Sequence, residues 1–499
     1  MSAPLSPSGS KPERLSALPA PLIAVIVATM AVRLIVGAHV HLTEDEAYYR
    51  LWSMAPALGY YDHPPMIACW IWLGRSLLGD TALGVRLIPI LACGVTTLVV
   101  FDMAALAGAG QAVAVRSAIW FNAMLLVGAG GLLAVPDAPA SLFWASALWC
   151  ALRAERASSI PWWIGAGLMA GLATLSKYSA LFLGPGILTW LFLTPRGRSQ
   201  LNKPGPWLAA AVAAGLFTLN VVWNADHGWL TFARQFGRIR PTHFAPQHLP
   251  EFVGEQILLL NPLIAPFLIG AVAARSRPSG EGGRVAPFLA SSAPFVIYLL
   301  IHSLHDQVQA HWPAPIYPAL AVCAAIGAER LGRAPRWSRL RVAAPVCGFL
   351  LCGALALYLL APARWSPRAA DPGLPLQGWP LFARAVDRAR LAAGALWVGT
   401  ASYALTAELA DEADLRAPVF QLDERARYRD IPIAEPNFAS PGLVVDLPRR
   451  IDVTALRRCF TTVVPLGDLA RGPRGGAAVR YAALLVAGPR RPIEPLGCW

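Results

Sequence analysis

The chemistry in this chain is concentrated between Thr43 and Trp72. Asp45 and Glu46 stand together at the start of that stretch, and Asp62-His63-Pro64-Pro65 follows sixteen residues on. Carboxylates in such a setting can take a proton from a hydroxyl or position it. The two prolines fix an extended backbone, so Asp62 and His63 are held at a defined angle. A further acid, Asp137, lies between prolines in Val135-Pro136-Asp137-Ala138-Pro139. Asp45 and Asp137, with Glu46 beside the first, are the candidate catalytic acids. The same residues fit plainer roles. Thr43 three residues before Glu46 resembles a capping box, and Asp137 between prolines suits a turn.

Candidate cations accompany these acids. Arg234 and Arg238 are four residues apart, which places both on one helical face, and a guanidinium binds phosphate through two hydrogen bonds. Lys177 is flanked by apolar residues in Leu175-Ser176-Lys177-Tyr178. His63 can contact a phosphate. Tyr61, Asp62, His305 and His311 complete the set that can line one site, the two histidines falling in His305-Asp306-Gln307-Val308-Gln309-Ala310-His311-Trp312. Asp45, Glu46, Asp137, His305 and His311 can also hold a divalent ion, although no spacing among them demands one. No cofactor is required by any motif.

These residues must be carried by a membrane scaffold. The 499 residues are 56% hydrophobic and 14% charged, with a mean hydropathy of +0.49. Apolar runs near the roughly 20 residues that cross a bilayer recur along the chain, and helices satisfy their own backbone in lipid. The expected fold is an all-α polytopic membrane bundle of about eleven spans. The first run is 22–40, read as an uncleaved helix. The rest are 82–107, 112–128, 132–152, 160–175, 178–194, 206–224, 254–274, 286–304, 313–330 and 342–361. Residues 1–17 read as a disordered cytoplasmic tail, residues 18–361 as the membrane domain with a polar outer loop at 41–81. Residues 362–499 turn rich in Arg, Asp, Pro and Gly. There the β-like runs 395–399, 418–422, 442–447 and 481–487, with an amphipathic helix at 402–414, predict a small α/β domain.

Charge orients the bundle. With the N-terminus inside, the inner connections hold Arg116, Arg153, Arg156, Arg196, Arg198, Lys203, Arg284 and a run from Arg330 to Arg341, far more basic residues than the outer ones. Every candidate site residue then falls outside, as does the carboxy-terminal domain. The net charge of +13 serves topology, and no basic-aromatic module for nucleic acid is present. There is no Walker sequence, nucleophile elbow or HExxH motif, so nucleotide-driven transport has no support. Six of the eight cysteines lie in apolar runs as small hydrophobes, while Cys459 and Cys498 can pair outside the cell.

Together the runs DEAYYRLW…GYYDHPPM, VPDAP, LSKYSALFLGPG, WNADHGW and HWPAPIYPAL, in that order, resemble the ArnT/protein-mannosyltransferase-like group of GT-C glycosyltransferases. The likeness covers about residues 20–330 and is nearest the bacterial branch called dolichyl-phosphate-mannose-protein mannosyltransferase or RgtA/B/C/D-like. It implies an enzyme of a bacterial inner membrane, with its site facing the periplasm. Such an enzyme moves a hexose or pentose, with inversion, from a polyprenyl-phosphate donor to a lipid A or other envelope glycolipid, glycan or protein acceptor. It maps the catalytic acid to Asp45 and the second acid to Asp137. His63 takes the place of a donor-phosphate lysine found before the Pro-Pro pair in aminoarabinose transferases, and Lys177 matches a lysine common in the group. A lipid-linked sugar flippase is the alternative, but it would place its charges in mid-helix around a path rather than in loops on one side.

Overall fold

A computed structural model describes residues 18–490, apart from 238–242, 274–282, 333, 362–370, 372, 413, 430, 432–436 and 474–477. The expected cytoplasmic tail, 1–17, lies outside the described residues.

Helices dominate up to Leu360. α1 (Ala20–His39) leads into the outer stretch, which is more ordered than a loop: α2 (Glu44–Trp52) and α3 (Met66–Leu78) stand where the sequence suggested mostly connection. α4 (Ala82–Leu106), α5 (Gln111–Ala123), α6 (Leu125–Gly130), α7 (Asp137–Ala157) and α8 (Ile160–Thr174) follow. Next come α9 (Leu183–Leu193), α10 (Pro195–Leu201), α11 (Pro204–Asp226), α12 (Leu230–Gly237), α13 (His248–Leu259) and α14 (Ala265–Ala273). α15 (Ala286–His302), α16 (Tyr317–Arg330) and α17 (Pro335–Leu360) close the bundle.

Each of the eleven expected apolar runs overlaps one or two of these helices, but their number as full spans does not follow. Among the described residues, α1, α4, α11 and α17 are long and apolar enough to cross a membrane. A fifth arises if Tyr178–Leu193 and Pro195–Leu201, bent by 116° at their junction, count as one. The other runs are short or broken. The run at 112–128 breaks at Met124, between α5 and α6. The run at 254–274 breaks at Asn261, whose positive φ of 74° interrupts the ladder. Its amide group donates to the carbonyls of Ala123 and Ala344 at 3.2 and 2.8 Å. Broken helices persist at membrane depth when neighbours take up the freed backbone groups. Arg33 does this for the first break, donating to Val127 O and Asn122 Oδ1 at 3.0 and 3.2 Å.

Small residues let the helices approach. A Cβ on Gly327 of α16 would lie 2.0 Å from the Phe267 carbonyl oxygen of α14, and one on Gly186 of α9 would lie 2.1 Å from Ser291 O of α15. Such contacts are the usual means of close helix packing in lipid. Apolar side chains on α1, α11, α14 and α17 face outward, including Val27, Val222, Ile269 and Leu350. With four helices long and apolar enough to cross a bilayer among the described residues, the chain is an integral membrane protein. At one end of the bundle sit the ion pairs Arg153–Asp102, Arg116–Glu329 and Arg284–Glu155. The acids and cations of the Thr43–Trp72 region gather at the other.

Beyond the bundle, α18 (Trp379–Ala392) precedes a five-stranded sheet. β1 (Trp397–Thr400), β2 (Val419–Gln421), β3 (Gly442–Asp446), β4 (Phe460–Arg471) and β5 (Val479–Pro489) are arranged in the order β2-β1-β3-β5-β4. β1 runs parallel to both neighbours, and β5 runs antiparallel to β3 and β4. α19 (Tyr403–Asp411) links β1 to β2, and α20 (Val453–Cys459) precedes β4. α18, α20 and β4 carried no strong apolar alternation and were not expected. β4 faces outward for most of its length, which explains its missing signal. Cys459 is disulfide-bonded, and Cys498 lies outside the described residues.

The small domain is fastened to the bundle through α2. Tyr48, Trp52 and Ala47 share a buried cluster with Ala407 of α19 and with Ile431. His41 Nε2 lies 2.7 Å from Glu408 Oε2, and Arg50 reaches Asp411 at 2.8 Å.

Candidate functional site

The stretch Gly59-Tyr60-Tyr61-Asp62-His63 is clamped from several sides, which fixes where Asp62 and His63 sit. Trp52 and Tyr60 stack with ring centroids 4.5 Å apart. Thr231 donates to Tyr60 O at 2.7 Å and Gln235 to Asp62 O at 2.6 Å, both from α12. Asn220 of α11 donates to Leu58 O at 2.8 Å. A Cβ on Gly59 would lie 2.4 Å from the Trp223 ring, so only glycine lets the segment pass so close to α11. Met66 N donates to Leu175 O at 3.1 Å, which ties the start of α3 to the turn bearing Lys177.

These constraints open onto one cavity of about 820 Å³. Asp45, Asp62, His63, Asp137, Lys177, Arg234 and His311 all line it. Its other end is apolar, walled by Pro89, Phe121, Leu126, Val127, Leu133 and the backbone of Gly130-Gly131. A polar chamber continuous with an apolar arm suits an amphiphile with a charged head.

Within the chamber, Lys177 Nζ donates to Asp137 Oδ1 at 2.7 Å. Asp137 is the first residue of α7, where the helix dipole favours a negative charge. His311 Nε2 stands 3.8 Å from the other Asp137 oxygen. Partial burial and the Lys177 charge hold the His311 pKa below the usual histidine value, against the pull of Asp137 and Asp45. Asp45 accepts a hydrogen bond from the Tyr403 hydroxyl at 3.1 Å. Burial raises the Asp45 pKa above the ordinary aspartate value, although the Tyr403 bond and the His311 and Arg427 charges act against it. Arg427 pairs with Asp62 and donates to Glu424 Oε2 at 2.6 Å. Arg234 Nε is 3.8 Å from Asp62, and Arg234 also reaches Glu424 at 3.4 Å.

With this geometry in hand, the likeness to known proteins can be placed. The family described as dolichyl-phosphate-mannose-protein mannosyltransferase matches residues 62–223. The lipid A galacturonosyltransferase RgtD of Rhizobium johnstonii is 28% identical over 287 residues, 56% of this chain and 59% of that protein. The chain thus spans 59% of the length of that relative. In structure, ArnT from Cupriavidus metallidurans bound to undecaprenyl phosphate superposes with a TM-score of 0.62 at 15% identity, covering 94% of this chain and 99% of that one. Its apo state gives 0.59 over the same shares. The chain thus shares the fold of ArnT, and part of its sequence is similar to mannosyltransferase and galacturonosyltransferase proteins.

Three of the expected residues, Glu46, His305 and Tyr61, are not on the cavity wall. Glu46 is fully buried and does not line the cavity. Arg86, itself 1% exposed, donates to both its carboxylate oxygens at 2.8 and 2.6 Å. Thr43 N and Ala134 N donate as well, at 3.0 and 2.9 Å. Burial alone would raise its pKa, but Arg86 and these hydrogen bonds outweigh it and hold the carboxyl below the usual range. The capping box that the sequence suggested is formed, and Glu46, a candidate catalytic acid beside Asp45, serves as a brace away from the cavity. The reason is its phase on α2, which turns Asp45 to the cavity and Glu46 to α4. His305 packs its ring against His302 at 5.3 Å and is likewise outside the cavity wall, whereas His311 is on it. With Glu46 and His305 elsewhere, the five residues named for a divalent ion do not converge. No group of three or more His, Cys, Asp or Glu side chains placed to hold a metal occurs among the described residues.

Tyr61 lies beneath Arg427 and Arg234, at 5.1 and 5.8 Å from its ring centre, behind the wall. Arg238 falls outside the described residues. The sequence reading missed Tyr403 and Arg427, which enter the cavity from the carboxy-terminal domain, and Arg86. Nothing in their local sequence marks them, since each acts on a partner more than 35 residues away.

Proposed function

We propose that this protein is an integral-membrane glycosyltransferase that moves a sugar, with inversion, from a polyprenyl-phosphate donor to an envelope acceptor on the periplasmic side. The observation that carries the reading is the single cavity in which Asp45 and the Asp137–Lys177 pair meet at one end of an apolar arm. The arm suits an isoprenoid chain, and the chamber suits its phosphate and sugar. Undecaprenyl phosphate in the structurally similar ArnT and the lipid A activity of the relative RgtD support a lipid-phosphate carrier and a glycolipid acceptor.

In this reading Asp45 takes the proton of the acceptor hydroxyl as its oxygen attacks the anomeric carbon. The bond from that carbon to the phosphate oxygen breaks, and the lipid phosphate leaves with the electron pair. Lys177, Arg234 and His63 meet the charge that develops on it. Asp137 holds Lys177 in place. No nucleotide is needed, in keeping with the missing nucleotide motifs. Residues 18–361 would form the membrane enzyme and 362–499 a periplasmic domain above it.

The test is transfer of labelled sugar from synthetic polyprenyl-phosphate donors to lipid A by purified protein in nanodiscs. Product from wild type, and a rate lower by roughly 10²–10⁴ from Asp45→Asn, is expected. Carrier movement across vesicles without product would replace this reading with the flippase.

A further inference from the structure

The cavity is closed on one side by the carboxy-terminal domain, and two of its side chains point inward. Tyr403, the first residue of α19, donates a hydrogen bond from its hydroxyl to Asp45 Oδ1. Arg427 has a side chain only 5% exposed. Its Nη1 is taken by Asp62 and its Nε by Glu424. Its Cζ stands 4.4 Å from the centre of the Tyr403 ring and 5.1 Å from that of Tyr61. Nη2 makes no hydrogen bond among the described residues, while the residue lines the cavity. A guanidinium held through two nitrogens and set against two aromatic rings, with its third nitrogen unbonded at a cavity wall, is a preformed oxyanion donor. Tyr48 donates to Arg427 O at 3.1 Å and Tyr428 to Tyr403 O at 2.6 Å, so the backbone beneath both groups is tied as well.

We infer that the carboxy-terminal domain is part of the catalytic centre: Tyr403 positions the Asp45 carboxylate, and Arg427 binds an anionic oxygen of the substrate through Nη2. This rests on the glycosyl-transfer reading. The oxygen belongs either to the phosphate of the polyprenyl donor or to an acidic group on the acceptor, and the chemistry of recognition is the same. The arrangement also explains why Asp62, beside His63, is an acid. It is the counter-charge that holds Arg427 at the rim.

The experiment uses the full chain in nanodiscs with Tyr403→Phe, Arg427→Lys and Arg427→Ala. Rates are measured at varied donor and varied acceptor, and binding of undecaprenyl phosphate alone is followed by native mass spectrometry. Tyr403→Phe should lower kcat about tenfold. It should also move the acidic limb of the kcat profile to higher pH, because the lost hydrogen bond favoured the ionised Asp45. The other groups facing Asp45, namely Glu44, Glu46, His311 and Arg427, are unchanged in that variant. Arg427→Lys keeps the charge but loses the fork, and should raise one KM at least tenfold. Donor KM rising together with weaker lipid-phosphate binding assigns the oxygen to the donor. Acceptor KM rising with that binding intact assigns it to the acceptor. Guanidinium ion should restore part of the Arg427→Ala rate, which a purely structural role would not allow. Wild-type kinetics in both Tyr403→Phe and Arg427→Lys would overturn the inference. Absence of transfer by the wild type would instead sink the underlying reading.

Discussion

Asp45 and Glu46 are adjacent in sequence but should respond in opposite ways to loss of charge. In Glu46→Gln one carboxylate oxygen becomes an NH₂ group. Each oxygen now faces two donors: Arg86 Nε with Ala134 N, or Arg86 Nη2 with Thr43 N. Whichever way the amide turns, donor meets donor, and a fully buried Arg86 loses its counter-charge. Breaking a buried pair from one side costs about 3–5 kcal/mol, which should lower the melting temperature on the order of 5–10 °C. The remaining folded enzyme should keep a kcat within a few-fold of wild type. Asp45→Asn should do the reverse. Its pKa is raised by burial, so the charge costs stability near pH 7, and its loss should leave melting unchanged or slightly higher. Loss of a general base should lower kcat by roughly 10²–10⁴. The assay pairs thermal unfolding by intrinsic tryptophan fluorescence with sugar transfer per folded molecule. An Glu46→Gln protein that melts like wild type but does not turn over would refute the division of roles.

Lys177→Met should lower kcat/KM by about 10²-fold if Lys177 meets charge on the leaving phosphate. Combining it with Asp137→Asn should cost less than the two single effects added, because the residues act as one pair. Gly130 lines the apolar arm and a Cβ there meets nothing within 4 Å. Gly130→Leu should therefore fold normally yet raise donor KM, and an unchanged KM would place the isoprenoid elsewhere. Gly327→Leu meets the Phe267 carbonyl and should destabilise by about 1–3 kcal/mol, seen as a lower melting temperature. The contact between His41 and Glu408 makes stability depend on pH. Burial raises Glu408 to about 7, and for His41 the Glu408 hydrogen bond and charge outweigh burial and raise its pKa. A raised pKa favours the protonated form in the folded state, so both groups contribute less as pH rises. Melting temperature should fall between pH 5 and pH 8, and Glu408→Gln should flatten that slope.

Local sequence determined a good deal. Apolar runs placed the helices of the bundle, because hydrophobicity at membrane depth is a property of each segment alone. The β-like runs and the helix at 402–414 foretold β1, β2, β3, β5 and α19 for the same reason. Asp45, His63, Asp137, Lys177 and His311 were visible as polar residues that an apolar chain would otherwise not carry, and the fold brings all five to one cavity. Tertiary structure decided what adjacency could not. Asp45 and Glu46 look equivalent in sequence, yet a 100° turn of helix sends one to the cavity and the other to Arg86, forty residues on. How many runs are full spans depended on breaks at Met124 and Asn261, which exist only because Arg33 and distant carbonyls accept them. Tyr403 and Arg427 carry no local signature. They reach the site because α19 docks on α2, a contact between surfaces some 360 residues apart in the chain. Only the packed molecule could bring those groups together.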